Sequence, residues 1–342
     1  HGLSSLVNTD CFVSETKRQM KKMKELFGHT PKVLRNSSLI YDDEIGAIAA
    51  GMGFKGMMVE GAKHIMGWRS PHYVYSCAQD SRLSLLMRDY KLSDDISLRF
   101  SDSSWSEYPL MADKYMGWIN SLPEGEEVIN IMMELSALGI YQPLSSNILE
   151  FIKALPDVAQ QMGIKFATPS EVVSKNKPVG PLEVIYPVSW NDEARDTSSV
   201  LGNGMQREAF AKLYDVKVVG RILACRNRRI QQDWDRLQAT ENFRFMTTKN
   251  NGMGIYRGIY DSEYDAFTNY MNILGDFLKR VHDLYPDDVE SDELNSLYTQ
   301  IANMGNELAV KDNEISRLRA RLEKYEPKTE APAADDEGAP AK

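Results

Sequence analysis

The chain has 342 residues, of which 42% are hydrophobic, and its formal net charge is −9 at pH 7. That length allows a substantial core, in one large domain or in two. The acidic balance, without a run rich in Lys and Arg, argues against a nucleic-acid partner. The apolar runs are far shorter than the ~20 residues that cross a bilayer, so no membrane partner is expected. Cys11, Cys77 and Cys225 are widely spaced, which predicts buried thiols in a cytoplasmic protein.

Residues 1–175 alternate between helical and extended patterns. The helices are predicted over residues 14–27, 43–52, 107–121 and 146–162, and the strands over "KVLRNSSLI", "FKGMMVEG", "LSLLMRDYKL", "INIMMELSALG" and "IKFAT". The run from Val128 to Met133 is apolar on both faces apart from Asn130, which is typical of a covered parallel strand. This alternation favours a parallel α/β fold, and a barrel more than an open sheet.

Residues 176–290 have a different pattern. A long loop rich in Pro, Asp and Ser is predicted first, followed by mainly helical sequence that we expect to pack on the barrel. The chain has no GxGxxG or GxxxxGK[ST] loop, and its five histidines are not clustered. Neither a nucleotide cofactor nor a metal site is therefore expected.

Residues 291–326 carry a heptad seam, and residues 327–342 are predicted to be disordered. The seam comprises Leu294, Leu297, Ile301, Met304, Leu308, Ile315, Leu318, Leu322 and Tyr325, with Lys311 in its one polar gap. It predicts a coiled coil and therefore a homo-oligomer. A long amphipathic helix lying back on the domain is the alternative.

Carboxylates at predicted strand ends are the candidate catalytic groups. Glu60 and Asp89 follow two of the predicted strands, and Glu134 follows the strand that begins near Val128. In barrel enzymes, catalytic residues lie at the carboxyl ends of strands. Asp94, Asp95 and Glu107 lie in a neighbouring polar and aromatic segment.

Aromatic side chains lie in predicted loops beside these carboxylates. They are Trp68, Trp105, Tyr108, Tyr141 and Trp190. Flat rings suit stacking on sugar faces, so the set indicates a carbohydrate ligand, although ordinary loop packing explains any single ring.

Several ordered blocks of the sequence resemble the α-amylase-like branch of glycoside hydrolase family 57. These blocks are "MRDYKLSDDISLRFSDSSWSEYPLMADKYMGWI", "INIMMELSALG", "NILEFIKALP" and "SWNDEARDTSSVLGNGMQREAF". The resemblance implies an incomplete, seven-stranded parallel (β/α) barrel followed by a helical region. It also implies retaining chemistry on an α-glucan or maltooligosaccharide, by a Glu nucleophile and an Asp acid/base. It places the first two strands upstream of His1, which we expect to belong to the family's second motif and to bind substrate.

The carboxyl positions of this chain depart from that pattern. By the resemblance, Glu134 occupies the acid/base position, and Ser38 occupies the nucleophile position. Ser136 stands at the family's second acidic position, and Glu241 and Asn242 stand where the helical region usually carries Asp and His. Together with the loop aromatics and carboxylates, this gives as candidate substrate-binding residues His1, Trp68, Asp94, Trp105, Glu107, Tyr141 and Trp190.

These departures leave the mechanism open. A retaining glycosidase needs an anionic nucleophile about 5–5.5 Å from its acid, and a serine hydroxyl is neutral. Glu60 is one candidate for a substitute anion. A second alternative is hydrolysis by an inverting mechanism, in which water attacks the glycosidic bond. A third is binding of α-glucan without cleavage, and a fourth is a coiled-coil assembly protein that uses the barrel as a scaffold.

Overall fold

A computed structural model describes residues 2–126, 128–225, 227–249 and 258–284, together with Lys311, Ile315 and Leu318. The chain divides into two compact units, His1–Val281 and His282–Lys342. The predicted boundary near residue 175 lies inside the first unit, and the domain division proposed from the sequence stays a prediction. The predicted substrate residue His1 and nearly all of the predicted heptad seam lie outside the described residues.

The described part of the first unit is an α/β structure. Its strands are β1 (Val33–Leu34), β2 (Gly56–Glu60), β3 (Val74–Cys77), β4 (Ser84–Arg88) and β5 (Pro181–Leu182). Its helices are α1 (Thr9–Phe27), α2 (Asp43–Gly51), α3 (Lys63–Met66), α4 (Tyr90–Asp94), α5 (Ala112–Asn120), α6 (Ile148–Gln161), α7 (Pro169–Lys175), α8 (Ser198–Leu201), α9 (Gly204–Leu213), α10 (Val216–Ala224), α11 (Arg228–Leu237), α12 (Thr240–Arg244) and α13 (Glu263–Leu284).

The described strands form one sheet in the order β1-β2-β4-β3-β5. β2 pairs with β4 in parallel along its full length, from Gly56 opposite Ser84 to Glu60 opposite Arg88. All five residues of β4 are buried, as expected for a strand covered on both faces. β3 runs antiparallel to β4, so the described sheet is mostly parallel and not wholly parallel as predicted.

Two predicted strands are wrong. The segment from Val128 to Met133 makes only one described bridge, between Arg88 and Asn130. Its backbone is not free to form a regular ladder, because the Met132 carbonyl and N–H bond to the side chains of Arg88 and Ser93. The "IKFAT" segment has no strand, and its Phe166 is exposed. The predicted strands at "FKGMMVEG" and "LSLLMRDYKL" are confirmed by β2 and β4.

Local sequence explains where the main helices begin and end. The Asn8 side chain accepts a hydrogen bond from the Cys11 N–H and caps α1, which begins at Thr9, five residues before the predicted start at Ser14. Gly28, with φ of 66°, ends the same helix in a left-handed cap. Helices α5 and α6 then pack around a buried aromatic cluster in which the Phe100 and Phe151 centroids lie 5.0 Å apart.

None of the described helices is long and apolar enough to cross a membrane. In the second unit, residues 282–284 complete α13, and Lys311, Ile315 and Leu318 are helical. These few positions do not test the predicted coiled coil, which stays a prediction.

Candidate functional site

A buried network of four charges lies at the carboxyl ends of β2 and β4. Glu60 and Arg88 are the last residues of these strands, and both side chains have 0% exposure. The Arg88 Nη1 lies 3.2 Å from Glu60 Oε2, and its Nη2 lies 2.5 Å from Asp94 Oδ1. Arg195 completes the network, with its Nη2 2.5 Å from Asp94 Oδ2 and its Nη1 3.8 Å from Glu60 Oε1.

Parallel pairing produces this network directly. The registered pair Glu60 and Arg88 places an acid beside a base at one edge of the sheet. Asp94 is brought to them by the short helix α4, which the side chain of Asp89 caps. The two acids and two bases balance each other, which compensates for removing all four groups from water.

Burial and charge act in opposite directions on these groups. Burial raises the pKa of Glu60 to about 7, while Arg88 and Arg195 limit the rise by favouring the carboxylate. Burial would lower the pKa of Arg195, but the charges of Asp94 and Glu60 outweigh it, so that pKa is raised. Glu60 is therefore a buried partner of two arginines, with no surface through which to reach a sugar.

Ser38 and Trp190 lie together beside the network. The Trp190 backbone N–H donates to the Ser38 carbonyl oxygen at 3.1 Å. The Arg88 guanidinium carbon lies 5.5 Å from the centroid of the Trp190 ring, and the Arg195 Nη1 donates to the Trp190 carbonyl. Ser38 has a left-handed backbone, with φ of 51°, which is uncommon for a residue other than glycine.

Trp190 and Asn191 carry buried polar atoms without a hydrogen-bond partner among the described residues. The Trp190 indole N–H and both polar atoms of the Asn191 amide are enclosed and have no hydrogen-bond partner among the described residues. Buried polar groups are normally paired. These polar atoms beside Ser38 are therefore available for hydrogen bonds to a ligand.

Glu134 lies in a more open setting than Glu60. Its side chain is 26% exposed, and its Oε1 lies 3.6 Å from the Arg244 Nη1. Ser136 Oγ and Tyr141 OH donate to Glu134 Oε2 at 3.1 and 3.3 Å. Hydrogen bonds and one cation thus hold a partly exposed carboxylate in a defined orientation.

A carbonyl oxygen connects Glu134 to the buried network. The Arg88 Nε donates at 2.7 Å to the carbonyl of Met132, two residues before Glu134. The Ser93 hydroxyl accepts from the Met132 N–H at 3.1 Å. The segment that carries Glu134 is therefore fixed to α4 and to the end of β4.

The structure brings some predicted site residues together and leaves others apart. Glu60, Asp94, Trp190 and Ser38 lie in or beside the charge network, and Tyr141 contacts Glu134. Trp105 and Glu107 line a separate groove with Trp118. Trp68 is 91% exposed and contacts Arg69, at 5.8 Å from ring centroid to guanidinium carbon.

Sequence reasoning missed three arginines of the site and one buried histidine. Arg88 and Arg195 neutralise the predicted carboxylates, and Arg244 contacts Glu134 from α12. His72 lies between Asp89 and Glu126, with its ring nitrogens 2.8 and 2.6 Å from their carboxylate oxygens. The sequence offered one signal for these contacts: Arg88 stands at the end of a buried strand, and a buried cation needs an anionic partner. Among the described residues, no group of three or more His, Cys, Asp or Glu side chains is placed to hold a metal ion.

Comparisons with known proteins agree with the sequence resemblance. The family described as "Glycosyl hydrolase family 57" matches residues 1–185. A protein of Methanocaldococcus jannaschii named "Putative alpha-amylase" is 39% identical over 290 residues, covering 81% of this chain. The chain spans 61% of the length of that protein. The chain belongs to glycosyl hydrolase family 57.

Two solved structures share the fold at low sequence identity. The GH57-type branching enzyme of Pyrococcus horikoshii is 12% identical, with a TM-score of 0.53 over 78% of this chain and 64% of that one. The 4-alpha-glucanotransferase of Thermococcus litoralis is 13% identical, with a TM-score of 0.52 over 82% of this chain and 46% of that one.

Proposed function

We propose that this chain binds an α-glucan at the site formed by Glu134, Tyr141, Ser38 and Trp190, and that it does not hydrolyse the glucan. Family membership supports the ligand class, because the relatives are named as an amylase, a branching enzyme and a glucanotransferase. The complete burial of Glu60 against Arg88 carries the second half of the proposal.

Retaining hydrolysis needs two carboxyl groups that both reach the sugar. Of the predicted catalytic positions, Glu134 supplies one partly exposed carboxylate. Ser38 supplies a neutral hydroxyl, and Glu60, the candidate substitute, is enclosed by two arginines. A carboxylate that is fully buried and ion-paired would have to leave both cations to attack an anomeric carbon, which is strongly unfavourable.

The remaining groups suit binding. A sugar hydroxyl both donates and accepts hydrogen bonds, and the Glu134 carboxylate, the Tyr141 hydroxyl and the Ser38 hydroxyl offer both types. The partly exposed ring of Tyr141 adds an apolar surface beside the carboxylate. Binding at this site requires no displacement of the buried network.

Hydrolysis of an α-amylase type, with Glu134 as general acid and a water molecule as nucleophile, is the second candidate. The observation that favours it is the orientation of Glu134 by Ser136, Tyr141 and Arg244, since a general acid must be held in place to act. The non-hydrolytic function is preferred because neither of the other two predicted catalytic positions supplies an exposed carboxylate: Ser38 is neutral, and Glu60 is buried.

Affinity electrophoresis in gels containing glycogen, together with calorimetric titration of maltoheptaose, tests binding. We expect retardation of the wild-type protein and a weaker retardation of the double variant Glu134→Gln/Tyr141→Phe. Glu183→Gln, at an exposed position away from these contacts, is the matched control and should bind like the wild type. Equal migration of wild type in gels with and without glycogen would refute the proposed function.

A further inference from the structure

An open groove of about 530 Å³ is lined by residues of α4, of α5 and of the segment between them. Its aromatic lining consists of Tyr90 at the start of α4, Trp105 in the following loop and Trp118 on α5. None of these residues belongs to the site around Glu134. The volume lies in the range of small-molecule sites.

The two tryptophans are held in place by packing. Their ring centroids lie 6.3 Å apart in an edge-to-face arrangement, and Trp118 also packs at 6.0 Å on Tyr115. Both rings are half-buried, so part of each ring remains exposed in the groove. A fixed, partly exposed ring binds a flat apolar surface with little loss of side-chain entropy.

The charged residues that line the groove are two cations, Lys91 and Arg99, and two anions, Asp95 and Glu107. Arg99 donates to Asp95 on the preceding turn of the same helical segment, and the Lys114 Nζ beside the groove lies 2.8 Å from the Glu107 carboxylate. The lining therefore offers hydrogen-bond donors and acceptors, and its formal charges sum to zero. That combination suits a neutral polyhydroxyl ligand better than an anion or a cation.

Tyr90 connects the groove to the candidate site. Its ring centroid lies 4.9 Å from the guanidinium carbon of Arg195, and Arg195 contacts both Asp94 and the Trp190 carbonyl. The groove and the candidate site are thus adjacent through Arg195.

We infer that this groove is a second α-glucan-binding surface, in which sugar faces stack on Trp105 and Trp118 and the paired charges bind the sugar hydroxyls. The inference rests on the proposed function, because it takes the ligand class from there. It adds a location that the site around Glu134 does not include. Maltooligosaccharides should therefore bind at both surfaces.

Fluorine NMR of the full chain labelled with 5-fluorotryptophan tests the inference. The chain has five tryptophans, whose resonances are assigned by single Trp→Phe variants. Trp105 and Trp118 report on the groove, Trp190 on the candidate site, and the buried Trp234 is an internal control. We expect maltoheptaose to shift the Trp105, Trp118 and Trp190 resonances and to leave Trp234 unchanged.

The possible outcomes separate the two proposals. A shift of Trp190 alone would overturn the groove and leave the proposed function intact. Shifts of Trp105 and Trp118 without Trp190 would support the groove and count against binding at the candidate site, and no shift would overturn both.

In calorimetry, Trp105→Ala should raise the Kd for maltoheptaose about tenfold, whereas Phe27→Ala, an exposed ring at the end of α1, should leave it unchanged. Equal Kd values for Trp105→Ala and wild type would contradict the inference.

Discussion

Glu60 and Arg88 end two neighbouring parallel strands, and their charged groups lie 3.2 Å apart with no exposed surface on either side chain. This pair, extended by Asp94 and Arg195, determines what the site can do. It fixes the position of the Met132 carbonyl, and through it the segment that carries Glu134. It also removes Glu60 from the groups that can reach a ligand.

The first prediction concerns the stability of this pair. Arg88→Met leaves Glu60 without its nearest cation, and breaking a buried pair in this way destabilises by about 3–5 kcal/mol. We expect that loss in the free energy of unfolding measured by urea denaturation. The double variant Glu60→Leu/Arg88→Met should recover part of it, because it leaves no unpaired charge at residue 60.

Arg82→Met is the control for that experiment. Arg82 pairs with Asp80 on the exposed surface, where ion pairs contribute little. Its denaturation midpoint should match that of the wild type. A similar loss of unfolding free energy in Arg82→Met and Arg88→Met would show that the buried Glu60–Arg88 pair stabilises the fold no more than an exposed pair does.

The second prediction concerns pH and His72. Burial alone would lower the pKa of His72, but its hydrogen bonds to Asp89 and Glu126 outweigh burial, so the pKa in the folded state is raised above 6.5. A raised folded-state pKa means that protonated His72 stabilises the fold fully below pH 6.5. That contribution is lost as the pH rises through the folded-state pKa.

Thermal unfolding from pH 5 to pH 9 checks this dependence. We expect the wild type to lose stability in the alkaline part of the range relative to His72→Gln, whose profile should be flatter there. His29→Gln removes an exposed histidine and should reproduce the wild-type profile. Parallel profiles for wild type and His72→Gln would contradict the assignment.

The third prediction restores a carboxylate at residue 38. If the missing anion prevents hydrolysis, Ser38→Glu should release reducing sugar from maltoheptaose, whereas Ser38→Gln, which is similar in size but neutral, should not. Adding Glu134→Gln to Ser38→Glu should lower the new activity by about 10²- to 10⁴-fold, because it removes the general acid. Equal rates with Gln and Glu at residue 38 would mean that the position does not act as a nucleophile.

The fourth prediction concerns the heptad seam of residues 294–325. We expect it to form a dimer or trimer, because aliphatic residues recur at heptad spacing with one polar gap at Lys311. Sedimentation of the chain with and without residues 292–342 measures the effect. Monomeric mass for the full chain would exclude the coiled coil.

The parts of the fold that local pattern controls could be predicted from the sequence. Strands β2 and β4 are runs of buried residues, and α1 and α6 follow apolar spacing, so their existence was predictable even where the start of α1 was not. The antiparallel strand β3 was missed because Val74–Cys77 is a run of only four residues, although Asp80, which accepts from the Leu83 N–H, marks the turn that follows it. The predicted strand at residues 128–133 was wrong because its apolar side chains serve core packing. Apolar side chains give the same sequence pattern whether or not the backbone forms a regular ladder.

The site was harder to predict because its contacts join distant residues. Asp94 meets Arg195, which lies 101 positions later, and Glu134 meets Arg244 on α12. No spacing rule reports such pairs. A carboxylate at a strand end gives the same sequence signal whether it is exposed for catalysis or buried against an arginine.

The proposal that this family 57 chain binds α-glucan without hydrolysing it can be tested by measuring binding and hydrolysis on the same samples. Maltoheptaose is titrated into the wild-type chain by calorimetry, and the same samples are then assayed for new reducing ends after prolonged incubation. We expect saturable binding and no reducing ends above those of a protein-free control. Release of reducing ends by the wild type, abolished in Glu134→Gln, would contradict it.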